Sequence, residues 1–284
     1  MMPEVPSLHN DTRLSDDRDA PDEKGPPQTS LPPAHLGRSL RLALRSIWDR
    51  LGVVLLISLI GTGVLLLSLL PGLVMPAALP FLLRTAVIAL LLVILSSPLL
   101  AVAFDIALRI FTHREVTPAL LPQSVRRYGS VSIRLGLIHL CVGVVAALNV
   151  TFYLQLSGAA GRAIVLLCTY LAVFWSTMAL YQGPLLVLQE SGAFDEPDKA
   201  AKRGAKAIIR RSFFLVIGEP LFSIGLLAAA LLWSVLTMLT GPGAAMLWLG
   251  GGCLLTTAPT LALLAKYGVI DPVVSEDAPP QKEA

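Results

Sequence analysis

Charge is what this sequence has least of. Of its 284 residues, 14% are Asp, Glu, Lys or Arg, where a soluble domain carries roughly a quarter. That scarcity excludes an ordinary water-soluble globular fold. Cysteine is also sparse: Cys141, Cys168 and Cys253 are the three present. Each lies within a long apolar run, and none has the close spacing of a metal knuckle or redox pair. They read as small apolar packing residues, so neither a disulfide framework nor a structural metal is implied. There is no nucleotide loop, no serine elbow and no HExxH. His139, the one histidine inside an apolar run, has no carboxylate or second histidine at ligand spacing and reads as a hydrogen-bonded packing residue. No residue set supports catalysis, so the expectation is a protein that is not an enzyme and takes no cofactor. Aromatic residues make up 6% and do not interleave with the bases, which argues against a stacking platform for nucleic acid.

What the sequence has in quantity is apolar surface. Hydrophobic residues account for 55% and mean hydropathy is +0.72. The excess is gathered into six runs near 51–70, 85–108, 133–156, 163–188, 213–239 and 244–265. Each meets the length of about 20 apolar residues that crosses a bilayer as a helix. The predicted fold is therefore all-α: a polytopic transmembrane bundle of six spans occupying residues 36–266. Residues 1–35 are rich in Pro, Asp and Ser and lack the basic start and apolar core of a secretory signal. They read as a disordered tail, as do residues 267–284.

Cytoplasmic loops collect Lys and Arg, and that bias sets orientation. Here 20 of the 22 basic residues fall on one side of the six predicted spans, leaving Arg84 and Arg162 on the other. The pattern predicts both termini in the cytoplasm of a cell membrane, with three short connections outside. The net charge of +3 then reflects topology.

Six bases lie between Lys199 and Arg211. Taking 100° per residue, Lys199, Lys202, Arg203, Lys206 and Arg210 share one face of a helix predicted over 198–212, with Ala201, Ala205 and Ile208 opposite. A second amphipathic helix, LGRSLRLALRSIWDR, places Arg38, Arg41 and Arg45 on one face and Leu40, Leu44 and Ile47 on another, with Trp48 at headgroup level. Both read as interfacial helices drawn to anionic lipid headgroups at about 1 kcal/mol per base. The sharper reading of 198–212 is a docking face for a partner, a transporter subunit or a second copy of this chain.

Four predicted spans contain proline: SSP at 96–98, QGP at 182–184, GEP at 218–220 and TTAP at 256–259. Broken helices of this kind build midplane sites in transporters, although kinked packing alone is commoner. Ionisable residues at the spans are few. Asp105 and Arg109, four apart, can pair, and Glu219 stands two turns into the predicted fifth span, where it meets Arg109 or Arg211 or serves a substrate. Asp105, Arg109 and Glu219 are the candidate membrane-embedded polar site.

The segments LSSPLLAVAFDIALRIF, SVRRYGSVSIRLGL, ALNVTFY, FWSTMALYQGPLLVLQ and RRSFFLVIGEPL, spread over roughly 90–235, resemble the YesL-like membrane proteins of bacteria. The role of that family is not established, and it is often linked with carbohydrate uptake. The resemblance implies an accessory or structural inner-membrane protein. KAAKRGA superficially resembles the ATPase-docking loop of importer permeases, but the alanine-to-glycine spacing is one residue short. A self-contained small-molecule transporter, with its site among the proline-bent spans, is the alternative.

Overall fold

A computed structural model describes residues 35–74, 80–117, 120–156, 158–192, 204–240 and 242–270. The two tails lie outside them except for 35 and 267–270, and so do Lys199, Lys202 and Arg203 of the basic face. The described residues form eight helices and no strand. In chain order these are α1 (Leu36–Asp49), α2 (Leu51–Val74), α3 (Phe81–Phe111), α4 (Leu120–Leu154), α5 (Ala159–Ser191), α6 (Ala205–Gly218), α7 (Pro220–Leu239) and α8 (Pro242–Lys266). All but α1 and α6 are long and apolar enough to cross a membrane. The six expected spans are present, within an all-helical fold.

α8 is the centre of the bundle. It packs against α1, α2, α3, α5 and α7, and 72% of its most apolar window is buried, against 22% or less in every other span. Small residues allow this. At Gly250 the backbone N–H donates to Ser58 Oγ of α2 at 2.9 Å, and a Cβ there would stand 2.7 Å from the Val54 carbonyl oxygen. Gly61 sits equally close to Leu249, and Gly251 to Trp233. Such close approach is how helices associate where lipid removes the hydrophobic difference between partners. At Gly63 and Gly252, by contrast, a Cβ would meet nothing within 4 Å.

α1 is the amphipathic helix foreseen, with a different buried stripe. Ser39, Ala43 and Ile47 are buried, while Leu44 is half exposed. Small residues let α1 lie close on α8, and Leu44, together with the largely exposed Trp48, is left facing outward as an interfacial side chain would be.

Two boundaries differ from expectation. α4 is 35 residues long, about 52 Å at 1.5 Å per residue, well beyond a hydrocarbon layer of about 30 Å. Its first turns, with Arg126 and Arg127, were expected to be loop. They are helical because Ser124, Tyr128, Ser132 and Leu135, four and three apart, form a buried stripe. The predicted fifth span is two helices. α6 ends at Gly218, Glu219 takes a non-helical conformation, and Pro220 opens α7. A residue before proline is steered out of the α region, and the Pro220 ring suits the first turn of a helix. The interruption is confined to one residue: the Glu219 N–H still bonds Leu215 O, and its carbonyl accepts from Ser223 N–H.

Candidate functional site

A cavity of about 580 Å³ opens among α3, α4, α5, α7 and α8. Three of the four proline motifs contribute to it: Ser96 and Ser97 before Pro98, Gln182 and Gly183 before Pro184, and Thr256 before Pro259. Its walls are chiefly apolar, with Leu100, Leu135, Leu186 and Leu255 joined by the indoles of Trp233 and Trp248. Ser97 lies three and a third turns before Arg109 on α3, about 18 Å along the axis. That depth is near the middle of a bilayer core.

Four of the five hydroxyls lining the cavity share one chemical character. The hydroxyls of Ser96, Ser132, Ser234 and Thr256 each donate to a carbonyl three or four residues earlier in their own helix. Their oxygen lone pairs are acceptors, that of Ser234 already taking the Trp248 indole N–H at 3.4 Å. His139 Nδ1 lies 2.8 Å from the Leu135 carbonyl, which fixes the proton on Nδ1 and makes Nε2 an acceptor. The Gln182 Nε2 donates to Ser212 Oγ at 3.5 Å, while its buried Oε1 has no partner among the described residues. Ser212 Oγ itself donates to Ile209 O, so it can only accept from Gln182, and the amide cannot be turned round without losing that bond. Among the described residues, no Asp, Glu, Lys or Arg lines the cavity.

The sequence singled out the proline motifs, and the fold gathers three of them. It marked Gln182 only as part of QGP and gave no sign of His139 or the tryptophans as cavity residues, because those residues come from helices far apart in the chain. GEP, the fourth motif, contributes instead to the break before α7.

The expected polar site divides into two pairs. Asp105 Oδ2 accepts from Arg109 Nε at 3.3 Å and from Ser124 Oγ at 2.6 Å, and Oδ1 accepts from Tyr128 O–H at 3.2 Å. Asp105 and Tyr128 are both buried. Glu219 Oε1, by contrast, is paired with Lys266 Nζ at the end of α8 and accepts from Tyr267 O–H at 3.4 Å. Neither Arg109 nor Arg211 is its partner: Arg109 holds Asp105, and Arg211 Nη1 donates to Gln189 Oε1 at 3.3 Å. Glu219 also stands at the mouth of the α7 span rather than two turns within it, which removes most of the cost of a charge in hydrocarbon. Partial burial, then the neighbouring Glu219 carboxylate, raise the Tyr267 phenol above its ordinary pKa, so it stays protonated and able to donate. Among the described residues no bond joins Glu219 to Asp105 or Arg109. Of the basic face, Lys206 and Arg210 are exposed near the start of α6, and Arg210 lies 5.7 Å over the Phe214 ring.

Helices of this length and composition define a class, the multi-pass helical membrane proteins. Within that class no protein-family model, no curated protein and no solved structure matches this chain.

Proposed function

We propose that this protein binds, and carries across its membrane, a small and mostly apolar molecule bearing one or two hydrogen-bond donors, without chemical change. The observation that supports this most is the unpaired, buried Gln182 Oε1 in a midplane cavity lined from three proline-containing spans. An unsatisfied buried acceptor costs about 1–3 kcal/mol, and a ligand N–H or O–H relieves it. α3, α5 and α8 run unbroken through their prolines, but α7, which also lines the cavity, starts at the break before Pro220. Membrane proteins that move solutes build midplane sites among interrupted helices. A sugar, with a hydroxyl on nearly every carbon, suits these apolar walls poorly. The accessory role in carbohydrate uptake therefore rests on the resemblance to YesL-like proteins alone. In this reading the basic end of the bundle, where α3, α5 and α8 finish, faces the cytoplasm of the cell membrane.

The test uses para-bromophenol, an apolar ring with one O–H donor and a heavy atom that quenches indole fluorescence. Purified protein carrying Trp48→Phe and Trp175→Phe keeps only the two cavity tryptophans, since the chain has four. Saturable quenching is expected, weakened about tenfold by Gln182→Leu, the loss of one hydrogen bond to a buried partner. Quenching that grows linearly with probe and ignores Gln182→Leu is partition into detergent and defeats the proposal.

A further inference from the structure

A second cavity, also about 580 Å³, lies at the basic end of the bundle. Arg109 of α3, Thr112 and Arg114 just beyond it and Arg127 of α4 line it, together with the Asp105–Tyr128 pair. We propose that this cavity is a binding site for a phosphate group.

The argument starts from how each guanidinium is employed. Arg109 gives its Nε to Asp105. Asp105 is otherwise occupied by Ser124 and Tyr128, so Arg109 is fixed in orientation while its two terminal nitrogens make no bond among the described residues. Arg127 donates one terminal nitrogen to the Glu190 carbonyl at the end of α5 and lies 5.7 Å over the Tyr128 ring. The Arg114 side chain makes no hydrogen bond or ion pair among the described residues. It follows His113, the one described non-glycine residue with a left-handed backbone (φ 51°). The Arg114 N–H bonds back to Arg109 O at 2.9 Å, so this turn holds the two arginines together.

Three guanidinium groups and one carboxylate leave a surplus of two positive charges around the cavity, the complement of a phosphate monoester near neutral pH. Arginine forks match phosphate oxygens in pairs. Leu188, Leu261 and Ile270 supply an apolar side to the same cavity. The simple alternative, that these arginines serve only helix ends and topology, accounts for the placement of all three charges. It does not account for their gathering around one cavity, nor for the unbonded terminal nitrogens of Arg109 that line it. The phosphate could belong to a lipid headgroup or to a soluble compound, and both sources offer the same oxygens.

The test is calorimetric titration of the purified full chain with two probes, inorganic phosphate and dihexanoyl phosphatidic acid below its micelle concentration. Arg114→Gln is the diagnostic variant, because Arg114 is exposed and its side chain is bonded to nothing described. Lys206→Gln with Arg210→Gln removes equal or greater charge elsewhere on the basic end. Binding of both probes, each weakened about tenfold by Arg114→Gln and little changed by the Lys206/Arg210 variant, supports a site for the phosphate group itself. Binding of the lipid alone with the same dependence supports the site and assigns it to headgroups. Absence of binding by either probe, or equal weakening by both variants, overturns the proposal.

Discussion

Gly252→Leu separates the cavity from the packing around it. Gly252 lines the midplane cavity, yet a Cβ built there meets nothing within 4 Å. A leucine side chain therefore enters open space instead of a neighbouring helix. Replacing glycine within a helix also removes a propensity cost of about 1 kcal/mol, so thermal unfolding in detergent should occur at the same temperature or higher. Ligand binding should move the other way. A side chain standing where the ligand stands costs at least tenfold in affinity, about 1.4 kcal/mol, read by para-bromophenol quenching of Trp233 and Trp248. Gly183→Ala is the contrasting case on the same cavity. Its Cβ would stand 2.0 Å from the buried Phe104 ring, and overpacking of this kind costs about 1–3 kcal/mol, so that variant should unfold at lower temperature. Unchanged quenching in Gly252→Leu would place the probe elsewhere and refute the binding site. A Gly252→Leu protein as unstable as Gly183→Ala would refute the open space.

Asp105→Asn removes the charge that three donors share and should lower stability by about 2 kcal/mol, measured by unfolding in mixed detergent; an unchanged midpoint would show the network to be idle. Glu219→Lys and Lys266→Glu should each lower the unfolding temperature, and the double exchange should recover most of the loss. A double variant no better than the worse single one would deny the pair any role in stability. With Cys141, Cys168 and Cys253 replaced by alanine, a cysteine at Arg114 should react with an impermeant maleimide only from the cytoplasmic side and one at Arg162 only from outside. Labelling of both from one side would reverse or break the topology.

The spans were legible in the sequence because a helix in lipid must be apolar for its whole length, and that signal is local. The outer turns of α4 were not, although their stripe of Ser124, Tyr128, Ser132 and Leu135 carries a helical period. Arg126, Arg127 and Pro122 outweigh it in composition, and only the buried Asp105 opposite explains why a serine and a tyrosine belong inside. The break at Glu219 was written in the residue pair itself, glutamate before proline, but reading a continuous apolar run from 213 to 239 hid it. Its partner, Lys266, is 47 residues away in the chain, and no spacing rule reaches that far. The cavity was half legible: the proline motifs marked three walls, while Gln182 looked like one polar residue in a helix until the fold left its oxygen alone.

The burial of α8 also bears on how the molecule is made. Synthesis delivers α1 to α7 to the membrane before α8 emerges, so the helix that all but α4 and α6 lean upon arrives after them. Until then Ser58 has no Gly250 to accept from, and Trp233 no Gly251 to rest against. The earlier spans meet one another first, through contacts such as Ser124 and Tyr128 of α4 on Asp105 of α3, but without the helix that most of them rest against. A ribosome that stalls before Pro242 therefore leaves in the bilayer five spans without the helix that four of them rest against.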